Sequence, residues 1–434
     1  MRERLCRLLI AGALAMAAPA AGDNLAEDPF AGAERLEREA LVRAVLARNA
    51  DLEAARQAWL AARERPAQAG ALEDPMVSYG VALLSIGSAD VDFGHELRLE
   101  QPLPYPGRRR LRRAQAEAEA GMAGAALAEV HLELATTATL LFEDYALVHR
   151  ALAINADHRR LLEEVREVAT ARYAAGLLSQ QDPLLAETEG VELQVQETEL
   201  EAERAALTAR MNALLHRVSG LPLPPPAESS LAARPELPDV AALEEAALAA
   251  RPEVKARLAE LVARRAALEL ARLERRPDFA LMGSYNSMWG DPEHRWMAGV
   301  TVNLPVWRRR TEAARREAEA RLAEVEAERT HLEHEVRGEV REAHARLAAG
   351  VRAAILYESR LLPAAHDQVE AARTGFTTGQ ATALAVLEAE RGLRRAELGY
   401  AEALAALARR RVELDRAAGR PPGGLDLEAE GAAP

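Results

Sequence analysis

Hydrophobic and polar residues alternate along two separate stretches of the chain. In the first stretch every second position is apolar or aromatic: Val77, Tyr79, Val81, Leu83, Phe93, His95, Leu97 and Leu99. The second stretch repeats the pattern with Phe279, Leu281, Tyr285, Trp296, Ala298, Val300, Val302 and Leu304. A period of two is typical of β-strands that have one apolar face. The sequence therefore predicts two β-hairpins, at 75–103 and 277–304, with strands of about nine or ten residues.

Each predicted hairpin is followed by long stretches with the helical period. Apolar positions there step by three, four or seven residues, which is the spacing of coiled-coil helices. The predicted helices are 107–176, 183–215, 311–375 and 383–418, with a kink expected at Pro363. Another helix is expected at 35–64, ended by Pro66 and Gly70. A helix of about seventy residues is roughly 100 Å long, so the pattern predicts two elongated helical hairpins.

The two halves of the chain repeat the same order of signals. Each β-hairpin ends in Leu-Pro and an aromatic residue (Tyr105 or Trp307), and three arginines then open a helix, at 108–110 and at 308–310. Each helical stretch is interrupted by an aromatic residue, two further residues and a glycine, at 173–176 and at 376–379. Glycine favours the left-handed end of a helix, and Ser179 or Thr382 can begin the next helix. The chain is therefore predicted to hold two copies of one unit.

The predicted organisation starts with a signal peptide and ends with a flexible tail. Its parts are the signal peptide (1–21), a first repeat (22–216), a Pro-rich linker (217–240), a second repeat (241–420) and the tail (421–434), with helical tips near 176–183 and 375–383. Arginines before a short apolar run and Ala-Pro-Ala are typical of a signal peptide. The single cysteine, Cys6, lies in that peptide, so no disulfide is expected. No later apolar run reaches about 18 residues, so no transmembrane helix is predicted.

The chemistry visible in the sequence argues against several classes of function. The net charge of −13 makes a nucleic-acid partner unexpected. The sequence shows no Ser-His-Asp arrangement, phosphate loop or dinucleotide fingerprint, so no enzymatic activity and no cofactor are expected. His331, His334 and Glu335 share a helix, but two histidines without an HExxH pattern favour a solvated face over a metal site. An exported, non-catalytic chain of this kind is periplasmic, secreted or part of a β-barrel.

Four predicted strands are too few to close a barrel by themselves. About eight strands is the smallest closed size, and open sheet edges are not tolerated in lipid. If the strands lie in a membrane, several chains must share one barrel, and three chains would supply twelve strands. On that reading Phe93, Leu97, Trp296 and Val300 face lipid, while Glu96, Arg98 and Thr301 line the lumen. A half-buried sheet in a soluble protein shows the same alternation, so the pattern alone leaves both possibilities open.

The duplicated helix, β-hairpin and helical-hairpin plan resembles the TolC family of outer-membrane efflux channels. The resemblance covers nearly the whole chain after the signal peptide, and it includes the aromatic-x-x-Gly turns. The run 101–108 (QPLPYPGR), with Asp74-Pro75 before the first strand, is similar to the branch that partners heavy-metal RND pumps. The family implies a mainly helical fold in which three chains share a twelve-stranded β-barrel in the outer membrane and an α-barrel that crosses the periplasm. It also implies two partners, a periplasmic adaptor and an inner-membrane pump.

The resemblance also implies roles for residues at the two helical tips. Asp182 and Glu388 match acidic positions of the family's pore constriction, and three Glu388 side chains would form a ring. Ala385 and Ala381 stand where some members carry a carboxylate and an arginine, so a gate held by that arginine is not expected here. The adaptor-docking positions are Arg172, Tyr173, Gly176, Ser179, Phe376, Gly379, Thr382 and Leu387. The alternative for Glu388 is an ordinary exposed helix residue.

Tyr105, Arg108, Trp307 and Arg308 are predicted to lie at the inner lipid interface. Cations at a helix N-terminus oppose the helix dipole, so another interaction is expected to favour the arginines. Lipid phosphates would supply it, with the two aromatic residues at headgroup level. The alternative is a solvated charged turn.

Two functions follow from these patterns. The first is a passive exit channel of a tripartite efflux system, conducting metal cations, drugs or proteins. The second is a soluble periplasmic coiled-coil adaptor or scaffold, for which one helical hairpin set in small β-domains would be expected. The two long hairpins and the strands between helices favour the channel.

Overall fold

The computed structural model describes residues 29–87, 89–176, 178–227 and 237–422. The predicted signal peptide, the middle of the Pro-rich linker and most of the predicted tail lie outside the described residues. The helices are α1 (Arg38–Arg48), α2 (Ala50–Gly70), α3 (Arg108–Ala174), α4 (Gln181–Leu214), α5 (Val240–Ala250), α6 (Pro252–Leu273), α7 (Arg308–Leu356), α8 (Leu362–Thr378) and α9 (Ala383–Ala417). The strands are β1 (Met76–Val81), β2 (His95–Leu103), β3 (Asp278–Asn286) and β4 (Trp296–Asn303). The predicted fold class, mainly helical with a small β part, is confirmed.

The four strands form one antiparallel sheet in the order β1-β2-β3-β4. The two hairpins were predicted separately, and the structure joins them by pairing β2 with β3, so that Leu97 lies opposite Tyr285 and Leu103 opposite Phe279. β1 has six residues and β4 has eight, fewer than predicted. Among the described residues, the outer edges of β1 and β4 have no neighbouring strand. The sheet is therefore open at both sides.

The register of the sheet sorts its side chains into two faces. Residues directly opposite each other in an antiparallel pair share a face. One face carries Val77, Tyr79, Val81, His95, Leu97, Leu99, Leu103, Phe279, Leu281, Tyr285, Trp296, Val300 and Val302. This apolar face is uncovered, since Val77 is 68% exposed and Trp296 is 74% exposed. The other face carries Glu96, Arg98 and Glu100 in the centre of the sheet.

The predicted helix at 35–64 differs from the observed one in two ways. The segment is broken at Asn49, whose side chain accepts hydrogen bonds from the N–H groups of Asp51 (2.9 Å) and Leu52 (3.4 Å) and so begins α2. Of the two residues predicted to end the helix, Gly70 is confirmed as the last residue of α2, whereas Pro66 lies inside it. Proline lacks an N–H, but near a helix end this removes only one hydrogen bond. Packing along α3 supports the remaining turn.

The long helices form two hairpins, α3 with α4 and α7–α8 with α9. α3 and α9 pack against each other, so they join the two hairpins. Between α7 and α8 the residues Tyr357–Leu361 form a π-helical turn directly before Pro363. The helix therefore becomes irregular before the predicted kink position. The irregular turn is the one that would accept a hydrogen bond from an N–H at position 363, and proline has no N–H.

Two equivalent hydrophobic clusters lie between the helical hairpins and the shorter helices. The first contains Leu41, Val45, Phe142 and Met211, and the second contains Leu243, Val254, Val336, Val340 and Leu414. The start of the linker packs on the first cluster, because Leu36 N–H donates to the Pro225 carbonyl (2.8 Å) and Ala227 N–H donates to the Leu36 carbonyl (2.9 Å). The linker is thus anchored at its first end.

One described helix, α3, contains a stretch long and apolar enough to cross a membrane, with a mean hydropathy of 1.3. Apolar residues of α3 such as Leu134, Ala138 and Phe142 are buried against α1 and α4. A core helix passes the same test of length and composition. Part of the stretch, 39% of it, is buried inside the chain in this way.

Candidate functional site: the helical tips

Each helical hairpin turns at a glycine with a left-handed backbone. α3 ends at Ala174 and α4 begins at Gln181, with Gly176 at φ 72° between them. α8 ends at Thr378 and α9 begins at Ala383, with Gly379 at φ 79° between them. A side chain at either position would be strained, since L-residues rarely adopt this conformation. The predicted correspondence between the two turns is present in the backbone.

The two tips begin their second helices by different hydrogen bonds. Thr382 is the N-cap of α9, and its hydroxyl accepts from the Ala385 N–H at 3.2 Å. At the other tip the carboxylate of Asp182, in the first turn of α4, accepts from the Ser179 N–H (3.1 Å) and from the Ser179 hydroxyl (2.9 Å). Negative charge is favoured at this end of a helix. Asp182 therefore stabilises the first tip locally, in addition to any role in a constriction.

Arg172 connects the first tip to the second. Its guanidinium lies 4.5 Å from the centre of the Phe376 ring, and it donates to the carbonyls of Phe376 (2.8 Å) and Thr377 (3.3 Å). A cation over an aromatic ring is stabilised by about 0.5–2 kcal/mol. Arg172 was predicted to dock an adaptor, but here it holds the two turns of one chain together.

The predicted docking residues divide into surface and interior positions. Tyr173 is 43% exposed, whereas Phe376 is 5% and Leu387 is 3% exposed. Phe376 packs with Ala383 and Val386, and Leu387 packs with residues of the first hairpin. The burial contradicts a direct contact of Phe376 and Leu387 with a partner on this surface. Two leucines that the sequence analysis did not select, Leu184 (51%) and Leu384 (44%), are exposed near the tips.

Glu388 and Glu390 lie two residues apart on α9 and have different surroundings. The Glu388 side chain is exposed, as an ion-attracting position requires. Glu390 is 7% exposed and belongs to a partly buried polar cluster between the hairpins. This cluster was not predicted, because its members come from α3, α4, α8 and α9. We call it the inter-hairpin cluster; its residues are His158, Glu189, Arg373, Glu390, Arg391, Arg394 and Glu397.

His158, 5% exposed on α3, is at the centre of one side of the inter-hairpin cluster. Its Nε2 lies 2.9 Å from Glu397 Oε2, and its Nδ1 lies 3.7 Å from Glu390 Oε2. Arg373 of α8 pairs with the other oxygen of Glu390 at 2.6 Å. The hydrogen bond from His158 is the main cause that lowers the pKa of the Glu397 carboxyl, although burial opposes it. The contacts join α3, α8 and α9 by charge-assisted hydrogen bonds.

Glu189 of α4 is the acceptor on the other side of the inter-hairpin cluster. It is 4% exposed and accepts from Arg391 Nε at 2.5 Å, with Arg394 Nη2 at 3.7 Å. The same hydrogen bond raises the pKa of Arg391. A buried carboxylate needs such a partner, because an unpaired charge in the interior is strongly destabilising. The first and second hairpins are therefore joined through paired charges as well as apolar contacts.

At the opposite end of the helices, Arg108 does not point to a lipid surface as predicted. Its side chain is 14% exposed and pairs with Asp278, the first residue of β3. It also donates to the carbonyls of Leu273 (2.8 Å) and Arg276 (3.1 Å). Arg108 thus joins the start of α3 to the second repeat. These contacts compensate for the unfavourable position of a cation at a helix N-terminus. The corresponding residues at the start of α7 lie on the surface. Trp307 is 75% exposed, and Arg308 is also exposed.

The comparisons with known proteins agree with this architecture. Residues 243–420 match the family described as outer membrane efflux protein. The structure of CusC, described in relation to transmembrane channel formation, aligns with 88% of this chain and 92% of its own, at 18% identity and a TM-score of 0.76. The outer-membrane channel OprN aligns with 92% of this chain and 95% of its own, at 21% identity and a TM-score of 0.72. A comparison with curated protein sequences gives no significant match.

A third structure, the open state of the Neisseria gonorrhoeae outer-membrane channel MtrE, aligns with 89% of this chain and 90% of its own, at 18% identity and a TM-score of 0.74. The fold is thus that of outer-membrane channels whose long helical hairpins continue from a small β-sheet. The first repeat has the same elements in the same order as the second, which carries the family match. The second repeat is therefore similar to the outer membrane efflux protein family, and the whole chain has the fold of these outer-membrane channels.

Proposed function

We propose that three copies of the chain form one passive exit channel, which receives substrate from a periplasmic adaptor and an inner-membrane pump. The observation that carries the proposal is the sheet, which within the described ranges is open at both edges and exposes a continuous apolar face. In lipid, an unpaired strand edge leaves N–H and C=O groups without partners at a cost of several kcal/mol each. Pairing β4 of one copy with β1 of the next removes every edge.

A barrel of three sheets would contain twelve strands, which is enough to leave an open lumen. The apolar face, with Leu97 and Val300, would then face lipid. The face with Glu96 and Arg98, which form an ion pair at 2.9 Å, would line the lumen. Trp307 and Arg308 would lie at the inner lipid interface with Tyr105, where an aromatic residue and a cation interact with headgroups.

The helical hairpins would extend the lumen into the periplasm. α3 has 67 residues, a length of roughly 100 Å. At its far end the proposed docking surface consists of Tyr173, Gly176, Ser179, Gly379 and Thr382 together with the exposed Leu184 and Leu384. The proposed constriction is formed by Asp182 and Glu388, because three exposed carboxylates around one axis attract cations. The pump supplies the energy of transport, and a heavy-metal RND pump is proposed from the sequence resemblance.

Cysteine cross-linking of the sheet edges tests the three-copy barrel. In a Cys6→Ser background, Ser78→Cys on β1 is combined in turn with Met297→Cys, Gly299→Cys or Thr301→Cys on β4, which samples three registers between copies. At least one pair is expected to give dimer and trimer bands after oxidation in outer membranes. The matched control is Arg98→Cys with Ser284→Cys, which are opposite each other within one chain and should link only internally.

The proposal is contradicted if none of the three edge pairs cross-links between copies while the control pair oxidises. Fractionation separates the channel from the soluble scaffold, the second function that the sequence allowed. Pelleting with outer membranes and trimers in mild detergent support the channel. Full solubility without detergent would support the scaffold.

A further inference from the structure

His158 lies between two carboxylates of α9, and each nitrogen of its ring faces one of them. Nε2 is 2.9 Å from Glu397 Oε2, and Nδ1 is 3.7 Å from Glu390 Oε2. His158 is 5% exposed and Glu390 is 7% exposed. An ionised carboxylate can only accept hydrogen bonds, so Nε2 carries a proton whenever it is bonded to Glu397. The protonation of Nδ1 is therefore the remaining variable of this contact.

The geometry around Glu390 favours a proton on Nδ1 as well. Arg373 of α8 binds the other oxygen, Glu390 Oε1, from its Nε (2.9 Å) and its Nη2 (2.6 Å). Glu390 Oε2 is buried, and among the described residues it accepts no hydrogen bond. A neutral His158 would place the lone pair of Nδ1 next to this oxygen, whereas a charged ring attracts the carboxylate. A proton on Nδ1 thus converts a buried repulsion into an ion pair.

The remaining charges of the inter-hairpin cluster are paired with each other on the α4 side. Glu189 accepts from Arg391 Nε at 2.5 Å, and Arg394 Nη2 lies 3.7 Å from its other oxygen. The two carboxylates that face His158 are left with one close guanidinium, that of Arg373. A positive charge on the histidine ring balances them.

A second histidine, His366 of α8, also acts on Glu397. The hydrogen bond from His158 is the main cause that lowers the pKa of the Glu397 carboxyl, and the charges of His366 and of Arg150 on α3 contribute less. His366 is exposed, so water and salt screen its charge. His366 is therefore the matched control for a response that depends on His158.

The contact links α3 of the first hairpin to α8 and α9 of the second in mostly apolar surroundings. One small cavity is lined by His158, Glu189, Leu162, Leu193 and Leu387 together with neighbouring charges of the cluster. Where water is scarce, a change of one charge alters an interaction more than it does at the surface. Histidine is the side chain that ordinarily exchanges its proton between about pH 5 and pH 8.

We propose that the inter-hairpin cluster is a proton-dependent switch. With a proton on Nδ1, His158 binds Glu397 and Glu390 together and holds α8 and α9 against α3. When that proton is lost as the pH rises above neutral, the contact with Glu390 becomes repulsive and the hairpins are held less tightly. The switch lies within one chain, so it does not depend on the proposed three-copy channel. In that channel it would make the helical tips easier to separate at alkaline than at mildly acidic pH.

Hydrogen exchange of the full chain in detergent micelles, measured by mass spectrometry at about pH 5.5 and about pH 8, tests the switch. After correction for intrinsic rates, exchange in segments 152–165 and 388–400 is expected to be about ten-fold faster at the higher pH. Helix α6, which contains no histidine, should show no difference. In His158→Gln the corrected rates at the two pH values should be equal, whereas His366→Gln should keep the full difference. A difference that persists in His158→Gln, or that disappears in His366→Gln, would overturn the proposal.

Glu390→Gln distinguishes a proton-dependent contact from a purely structural one. The introduced amide can donate to a neutral Nδ1 while its oxygen accepts from Arg373, so the contact no longer needs a proton. At about pH 8 this variant should exchange as slowly as the unmodified chain does in mild acid. Glu164→Gln, at an exposed position of α3, is the control and should behave like the unmodified chain.

Faster exchange of Glu390→Gln than of the unmodified chain at both pH values would refute the switch and leave only a structural role for the carboxylate. These measurements report contacts within one chain. A negative result therefore leaves the proposed channel standing, and a failure of the cross-linking between copies leaves the switch standing.

Discussion

The sheet and the helical hairpins that lead to the tips differ in where their side chains and backbone groups find partners. Between the hairpins that lead to the tips, buried charges find partners inside the same chain, as His158 does with Glu397 and Glu189 does with Arg391. At the sheet, an apolar face is exposed and both strand edges are unpaired among the described residues. The charges between the hairpins are satisfied within one chain, whereas the sheet leaves open the surfaces that the proposed three-copy barrel would cover with lipid and further copies. Substitutions should therefore affect assembly at one end and internal stability at the other.

The largest effect is expected from a charge on the apolar face of the sheet. Leu97→Arg should prevent assembly in the outer membrane, since a central arginine facing lipid costs about 2–4 kcal/mol per strand and three copies repeat it. Arg98→Leu, the adjacent residue on the other face, is the matched control and should be better tolerated. Membrane pelleting and detergent-stable trimers are the measurements. Equal tolerance of the two variants would contradict the assignment of the faces.

A smaller effect is expected from removing the histidine of the inter-hairpin cluster. His158→Leu leaves Glu397 without its hydrogen bond and Glu390 with Arg373 alone, at a cost of about 1–3 kcal/mol. Hydrogen exchange should become faster in α3, α8 and α9 near the cluster while the sheet is unchanged. Arg160→Ala is the control, because Arg160 is exposed and pairs with Asp157 of its own helix. Unchanged exchange in His158→Leu would show that the cluster is dispensable.

Arg172→Ala tests the connection between the two turns. It removes a ring contact and two hydrogen bonds to carbonyls, so a loss of about 1–2 kcal/mol at the tip is expected. The tips should separate more often, which would appear as higher conductance in planar bilayers. Arg166→Ala is a suitable control because Arg166 pairs with Glu163 on its own helix. A conductance identical to that of the unmodified channel would argue against a restraining contact.

In acid, the pH dependence of the inter-hairpin cluster follows from the lowered pKa of Glu397. A carboxyl whose pKa is lowered by folding stabilises the folded state above its ordinary value of 4.5, and this stability is lost as the pH falls through the lowered value. Hydrogen exchange at α9, corrected for intrinsic rates, should therefore increase below about pH 4.5. In Glu397→Gln this increase should be smaller. A Glu397→Gln variant with the same acid response would assign the effect to other groups.

The smallest structural effect is expected at the exposed carboxylate of the proposed constriction. Glu388→Ala should leave folding unchanged, because the side chain is at the surface. Block of the current by divalent cations should weaken, since one carboxylate per copy is lost from the pore. Glu187→Ala, an exposed glutamate on α4, is the control. An unchanged cation response would remove Glu388 from the constriction.

Much of the fold could be predicted from the residues alone. The period-two stretches became strands, the period of three to four became long helices, and the glycines at 176 and 379 adopt the left-handed backbone. Two local errors occurred in the N-terminal helices. Pro66 stays within α2, which packs along α3. Asn49 divides a helix that hydrophobic spacing alone predicted as continuous, because its side chain caps α2. The tip residues Phe376 and Leu387 were correctly located in the turn regions but were assigned to a surface that they do not reach.

The sequence by itself determined the elements, their duplication and the two faces of each hairpin, because these depend on backbone preferences and on residues a few positions apart. Only the tertiary structure decided which distant residues meet. It paired β2 with β3, brought Arg108 to Asp278 across 170 positions, and brought His158 to Glu397 across 239 positions. Such contacts depend on how the two repeats pack against each other. No local pattern of hydrophobic and polar residues specifies that packing.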